Sequence, residues 1–334
     1  MLKAAVAGAS GYAGAVLCGL LRRHPEVELR YLLVSERSED KEKPLSTLYG
    51  NLAGVVDDRL TAWRGAEDLP SDTDLIFLCT DHKVSHDVVP GLLKRGVRVF
   101  DLSGAFRLHD PQVFERYYGF AHEHPQLLQE AVYALAEFSE PKCLQQARLL
   151  ALPGCYPTAS QLALKPLLQD SLLDTDFMPV INAVSGVSGA GRKAKLTSSF
   201  CEVSLNAYGV FTHRHLPEIC EHLKQEVIFT PHLGNFKRGI LATVTARLKA
   251  GVGKGEVTEC YQRAYAGRPL VRLKDTMPKV QDVQGTAYCD LGWACDRGHI
   301  VICSAIDNLM KGAAAQAVQI MNLCYGFPEG TALL

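Results

Sequence analysis

With 334 residues, 47% of them apolar and 21% charged, the chain has the composition of a folded protein with material for two domains. A formal net charge of -1 gives no electrostatic pull toward nucleic acid or an anionic membrane surface, and Arg, Asp or Gly breaks every apolar run short of bilayer-spanning length. The 11 cysteines include no C-x-x-C pair and no metal-ligand spacing, which reads as reduced thiols in a cytoplasmic protein rather than a disulfide framework.

The first apolar run, residues 3–7, enters a glycine-rich turn directly, so it reads as a buried strand rather than an export signal. Residues 12–23 have helical spacing, with Val16, Leu17, Leu20 and Leu21 on one face. Strands are expected at 27–34, 75–79, 97–102 and 149–152, with a charged loop at 35–45 and a helix at 84–95. Strands alternating with helices imply parallel pairing and a doubly wound α/β sheet. Beyond residue 155 the pattern changes. Residues 179–184, 240–248 and 299–306 read as strands, and 240–248 alternates as a half-buried antiparallel strand does. An Ala-rich helix is expected over 308–322, returning to the first domain.

Gly8-Ala9-Ser10-Gly11-Tyr12-Ala13-Gly14 lies between the first strand and the first helix. Glycines at this spacing let the backbone approach a pyrophosphate seated on the helix N-terminus, so Gly8, Ser10, Gly11, Tyr12 and Gly14 are candidate cofactor contacts. A tight structural turn is the plainer alternative. Counting about 20 residues on from the first glycine reaches Glu28, at the wrong end of the second strand for a ribose contact. The chain leaves that strand at Ser35-Glu36-Arg37-Ser38. Two hydroxyls and a guanidinium suit a 2'-phosphate, which favours NADP(H) with Ser35, Arg37 and Ser38 as its contacts. Glu36 counts against this, and a solvated polar loop is the alternative.

Pro153-Gly154-Cys155-Tyr156-Pro157-Thr158 ends a strand and opens a helix. Cys155 therefore sits where the helix dipole favours a thiolate and where backbone N–H groups can hold an oxyanion. Cys18, Cys79, Cys303 and Cys324 lie in apolar elements and read as core residues. A thiolate nucleophile needs a proton partner, and Thr212-His213-Arg214-His215-Leu216-Pro217-Glu218-Ile219 supplies His213, His215 and the nearby carboxylate of Glu218. Which histidine serves is left open. His-x-His alone lacks further ligands, so no metal is assigned. Ser185-Gly186-Val187-Ser188-Gly189-Ala190-Gly191-Arg192-Lys193 is a glycine-rich loop ending in cations. Its Ser188 and Gly189 are candidate nicotinamide-side contacts, and Arg192 is a candidate for anionic substrate groups. Arg107, in Asp101-Leu102-Ser103-Gly104-Ala105-Phe106-Arg107 at a strand's C-terminal end, is a second such cation or a surface salt bridge.

Taken together and in order, these motifs, with Pro231-His232-Leu233-Gly234-Asn235-Phe236, resemble the N-acetyl-gamma-glutamyl-phosphate reductase family of arginine biosynthesis. The resemblance runs nearly the full length. It implies an NADP-binding Rossmann domain, residues 1–154 plus 308–334, broken by an α+β catalytic and dimerisation domain, residues 155–307, with a mostly antiparallel sheet. It further implies Cys155 as nucleophile, His213 or His215 as acid and base, Asn308 facing the nicotinamide, an acyl phosphate substrate, and a homo-oligomer, dimer or tetramer, without nucleic-acid or membrane partners. Aspartate-semialdehyde dehydrogenase, with the same chemistry on a shorter substrate, and a non-catalytic NADP-binding sensor are the rival readings.

Overall fold

A sheet covered on both faces needs continuous apolar strands, whereas a sheet with one wet face needs alternation. The chain contains one of each. The computed structural model describes residues 1–334 and divides into two units: Met1–Glu115, Gly119–Gly154 and Ala313–Leu334 form the first, and Arg116–Tyr118 with Cys155–Gly312 form the second.

The first unit runs β1 (Leu2–Ala7), α1 (Tyr12–Arg22), β2 (Val27–Ser35), α2 (Leu45–Leu48), β3 (Thr61–Trp63), β4 (Leu75–Leu78), α3 (His82–Lys94), β5 (Arg98–Asp101), α4 (Pro111–Tyr118, its last turn belonging to the second unit), α5 (Pro125–Glu130), β6 (Val132–Tyr133), α6 (Pro141–Gln146) and β7 (Leu149–Ala151). The strand order is β3-β2-β1-β4-β5-β7-β6, with every pairing parallel. All of β4 and the last three residues of β5 are buried, as a sheet covered on both sides requires. Sequence order reverses direction where β1 meets β4, so the turn after β1 opens at the switch point of the sheet.

The second unit runs α7 (Cys155–Gln169), β8 (Val180–Gly186), β9 (Asn206–Ala207), α8 (His215–Leu223), β10 (Ile228–Gly234), β11 (Ile240–Arg247), α9 (Lys254–Ala264), β12 (Val271–Leu273), β13 (Cys289–Asp296) and β14 (His299–Ile306). Its sheet, β12-β13-β14-β11-β8-β10-β9, is mixed, with antiparallel pairs through its centre. The pairs β8–β10 and β12–β13 are parallel. Strand β11 alternates buried and more exposed residues along its whole length. Helix α7 packs on β11 and β14 and against α8 and α9, so its buried residues extend well beyond a single stripe.

Pro166 lies inside α7 and has no N–H to give the carbonyl of Leu162 one turn earlier. The Tyr265 hydroxyl donates to that carbonyl instead, and the Tyr261 hydroxyl donates to Ala163 O at 2.6 Å. The proline is tolerated because a tyrosine beyond α9 supplies the missing bond.

The last helix departs from its expected form. A π turn, Met310–Ala314, comes first, and α10 spans Ala315–Tyr325. The cause is Asp307. Its carboxylate accepts the N–H groups of Leu309 (2.8 Å) and Met310 (3.0 Å), and its carbonyl accepts Gly312 N–H at 3.0 Å, a five-residue loop of π type. The chain re-enters the first unit after Gly312, later than the expected Asn308, because Asp307 and Asn308 are tied into the second unit. Helix α10 then packs on α1 and α6.

Candidate active site

The turn after β1 is shaped by steric necessity. Gly8 has φ +79°, and a Cβ there would lie 2.3 Å from Cys79 O. A Cβ on Gly14 would lie 2.3 Å from Gly8 O, so the helix can start this close to the strand only without a side chain. Gly8 and Ala9 donate their N–H groups to Leu33 O at 2.8 and 3.2 Å, fixing the turn against the end of β2. Gly11 is the N-cap of α1; no side chain caps the helix and its first turn carries no acid. Uncapped N–H groups at a dipole's positive end, on a backbone a ligand can approach closely, fit a pyrophosphate. Tyr49 donates its hydroxyl to Ser10 O at 2.8 Å and packs edge-on against Tyr12 at 6.4 Å between ring centroids. Ser35, Arg37 and Ser38 occupy the end of β2 and the turn after it, with Ser35 and Arg37 exposed. Ser35 Oγ accepts Arg37 N–H at 3.3 Å, and Ser38 Oγ accepts Asp40 N–H at 3.2 Å, which shapes the turn.

In the second unit, Cys155 is the first residue of the 15-residue helix α7. It is half-buried. Its sulfur therefore sits at the positive end of a long helix, where an anion is stabilised. The π turn packs directly on it, since a Cβ on Gly312 would lie 2.8 Å from Cys155 Cβ. The neighbouring Tyr156 joins α7 to the start of α8. Its ring stands edge-on to His213 at 5.7 Å and to His215 at 5.9 Å, and those two imidazoles are 4.8 Å apart. The Tyr156 hydroxyl donates to His232 O at 3.0 Å and meets the Tyr208 hydroxyl at 3.3 Å. Burial pushes both phenols up, with the negative charge of a Cys155 thiolate as a further cause, so both hydroxyls stay protonated beside the sulfur.

The two histidines differ. His213 Nδ1 accepts His215 N–H at 3.1 Å, which leaves the ring proton on Nε2. Burial, helped by the Arg214 cation, pushes His213 from the ordinary 6.5 down to about 4, so it is neutral at physiological pH. His215 opens α8, and Glu218 is fully buried in the same first turn.

Ser188, Gly189 and Asn308 are brought together. Asn308 Nδ2 donates to Ser188 Oγ at 3.1 Å, its Oδ1 accepts Gly239 N–H at 2.7 Å, and a Cβ on Gly189 would lie 3.8 Å from the same amide. Beneath Asn308, the fully buried Asp307 pairs with Arg238 at 2.6 Å and accepts Gly285 N–H at 2.7 Å. Arg192 is exposed. Arg107 is not a surface salt bridge. It is buried at 5% exposure, and its Nε and one Nη donate to Leu152 O and Leu102 O, each at 2.7 Å. It braces the ends of two strands from inside. Cys18 and Cys324 are buried, but Cys79 and Cys303 are only partly so.

Sequence reasoning passed over Tyr156, Tyr208, Asp307 and Gly312. Tyr156 and Gly312 carried a readable signal: an aromatic directly after the candidate nucleophile, and one glycine in an Ala-rich run. Tyr208 and Asp307 did not, since only the fold brings them to the site.

A parallel dinucleotide-type sheet joined to a mixed sheet whose first helix begins with a cysteine is the plan of the semialdehyde dehydrogenases. Residues 3–147 match the profile described as semialdehyde dehydrogenase, NAD binding domain, and residues 155–308 that described as semialdehyde dehydrogenase, dimerisation domain. The fold is also that of aspartate semialdehyde dehydrogenase II from Vibrio cholerae, solved with ASA (TM-score 0.73, 18% identity, 98% of each chain covered). It is shared by aspartate semialdehyde dehydrogenase with NADP from Candida albicans (TM-score 0.71, 15% identity, 97% of this chain and 98% of that one). Within this class the chain belongs to the N-acetyl-gamma-glutamyl-phosphate reductase family. It is 54% identical to that reductase of Vibrio parahaemolyticus, 56% to that of Pasteurella multocida and 53% to that of Escherichia coli, with 100% of both chains covered each time. No helix is long and apolar enough to cross a membrane.

Proposed function

We propose that this protein reduces N-acetyl-L-glutamyl 5-phosphate to N-acetyl-L-glutamate 5-semialdehyde and phosphate, with NADPH as reductant, through a thioester on Cys155, as a step of arginine biosynthesis. The observation that carries this reading is the placement of Cys155 at the head of α7, joined through Tyr156 to His213 and His215. The full-length identity to reductases of that name supports the acyl group.

The helix dipole and the backbone N–H groups at the start of α7 favour the Cys155 thiolate, and its sulfur attacks the acyl carbon. The carbon–sulfur bond forms, the carbon–oxygen bond to phosphate breaks, and inorganic phosphate leaves with that bonding pair. Gly8, Ser10, Gly11, Tyr12 and Gly14 hold the cofactor's pyrophosphate. Ser35, Arg37 and Ser38 hold its 2'-phosphate, and Ser188, Gly189 and Asn308 its nicotinamide side. The bound NADPH supplies a hydride. His215 gives a proton to the resulting thiohemiacetal oxygen and takes it back as the aldehyde leaves the sulfur. His213, neutral with its Nδ1 engaged, acts as a hydrogen-bond donor through Nε2, and buried Glu218 orients His215. Arg192 meets anionic substrate groups, while Arg107 acts through the strands it braces. The first unit holds the cofactor, the second performs the chemistry and pairs subunits, and the protein works as a cytoplasmic homo-oligomer, dimer or tetramer.

The test is trapping. Incubated with acyl phosphate in the absence of NADPH, the protein gains the mass of one acyl group at Cys155 and releases one equivalent of phosphate. Absence of that adduct, or near-normal turnover of a folded Cys155→Ser protein, rejects the scheme. Assaying N-acetylglutamate 5-semialdehyde against aspartate semialdehyde separates this reading from a dehydrogenase of the shorter substrate.

A further inference from the structure

Side chains from two distant stretches of sequence meet on one side of α3 in the first unit. One donor atom each from His86, Glu123 and His124 lies within 4.8 Å of the other two. We infer that these residues form a binding site for a divalent transition-metal cation of zinc's class.

His86 is the fixed partner, with no exposed surface. Its Nδ1 lies 2.7 Å from Asp87 Oδ1, and its Nε2 lies 3.0 Å from the backbone N–H of Glu123. An ionised carboxylate only accepts and an N–H only donates, so the ring proton sits on Nδ1 and the lone pair on Nε2 faces Glu123. A carboxylate behind the far nitrogen is the arrangement that sets tautomer and direction in metal-binding histidines. His124, at the residue before α5, has its ring 4.8 Å from that of His86 and caps no backbone group with its side chain.

His122 is not a third imidazole ligand. Its donor atoms lie outside the converging set: Nε2 donates to Ala105 O at 3.0 Å, Nδ1 accepts His124 N–H at 3.3 Å, and the ring forms a wall 4.7 Å from His86. Lys83 Nζ holds the Asp87 carboxylate at 2.7 Å and keeps it behind His86 rather than beside the ion. That cation also weakens binding, which argues against the affinity of a structural zinc centre.

Two imidazoles and one carboxylate suit zinc, cobalt or nickel rather than magnesium or calcium, and three protein ligands leave a position for water. Bonds of about 2.0–2.2 Å bring ligand atoms to roughly 3.4 Å apart in a tetrahedral site. The 119–124 segment therefore draws in by up to about 1.4 Å, and the Glu123 N–H yields its place on Nε2 to the ion. The ion would then clamp this segment onto α3.

The test uses the full chain, freed of metal and kept reduced, titrated with Co²⁺. The 11 cysteines include exposed Cys143 and Cys201, and cobalt on these gives a thiolate charge-transfer band, which an imidazole–carboxylate site does not. Expected is one equivalent with visible ligand-field absorption and no thiolate band, displaced by Zn²⁺. His124→Ala and Glu123→Gln leave every backbone bond of the cluster in place, so both stay folded, and each should weaken this binding at least tenfold. Zinc should raise the unfolding temperature of the parent protein and not of His124→Ala. Binding only with a thiolate band, or unchanged affinity in both variants, overturns the site.

Discussion

Replacing Gly312 with Ala tests the claim that the π turn sets the position of the nucleophile. The new Cβ would lie 2.8 Å from Cys155 Cβ and 3.3 Å from Cys155 Cα, where ordinary contact begins at 3.4 Å. The alanine backbone itself is compatible, since Gly312 is not among the glycines with positive φ. Two effects compete on stability: overpacking costs about 1–3 kcal/mol, while Ala in a helical turn is favoured over Gly by about 1 kcal/mol. The net change in unfolding temperature is therefore small, a few degrees at most. Activity has no such compensation. Restoring ordinary contact from 2.8 to 3.4 Å moves Cys155 by about 0.6 Å; since a misplacement of about 1 Å costs about 100-fold, a loss on the order of tenfold, roughly 1.4 kcal/mol of transition-state stabilisation, is expected. The assay is phosphate-dependent NADP reduction with the semialdehyde, read beside a thermal melt. A kcat/KM within twofold of the parent would refute the reasoning, and so would a collapse of the melt with activity lost only in proportion.

Arg37→Ala should reduce the preference for NADPH over NADH by about tenfold or more, the worth of one charged hydrogen bond of 1.5–3 kcal/mol; an unchanged ratio of kcat/KM for the two cofactors would remove Arg37 from the 2'-phosphate. Tyr265→Phe leaves the Leu162 carbonyl without its donor above Pro166, and should cost about 1–3 kcal/mol in urea unfolding with turnover unaltered. A change below about 0.3 kcal/mol would show that the carbonyl finds another partner. Stability should also fall in acid. His122 and His213 are both held near 4 in the folded chain against an ordinary 6.5, so below 6.5 the unfolded chain binds more protons. The unfolding free energy is then flat above about pH 6.5 and declines as pH falls from there through 4. His213→Asn, whose amide oxygen can still accept His215 N–H, should shallow that decline, and an identical acid slope would contradict the burial argument.

Much of the architecture was legible because it follows from local rules. A buried parallel strand must be apolar throughout, so β1, β4 and β5 announced themselves. The turn after β1 needs glycines where a side chain would strike Cys79 O or Gly8 O, and it has them. Strand β14 was read to the residue, since its apolar run has sharp ends. What failed was set by partners distant in sequence. The Ala-rich stretch after Asp307 reads as ordinary helix by composition, and only the capture of three N–H groups by Asp307 makes its start a π turn. Arg107 looked like a surface cation because nothing local announces two backbone carbonyls waiting for it. Helix α4 carried a legible signal, Asp110 capping the N–H groups of Gln112 and Val113 before Pro111 starts the helix, that went unread for want of apolar periodicity. His86 and His124 are separated by a strand and a helix, so their meeting was invisible before folding.

The return of the chain to its first unit also shapes how the protein is made. Helix α10, with Ala317, Val318, Ile320 and Met321 fully buried, packs on α1 and α6, yet it leaves the ribosome only after the whole stretch Cys155–Gly312 of the second unit. Until it arrives, the amino-terminal half must wait with an apolar face uncovered while everything from Cys155 to Gly312 is synthesised. A nascent chain paused near residue 312 would thus be a client for chaperones, and losing Ala313–Leu334 would injure the part made first.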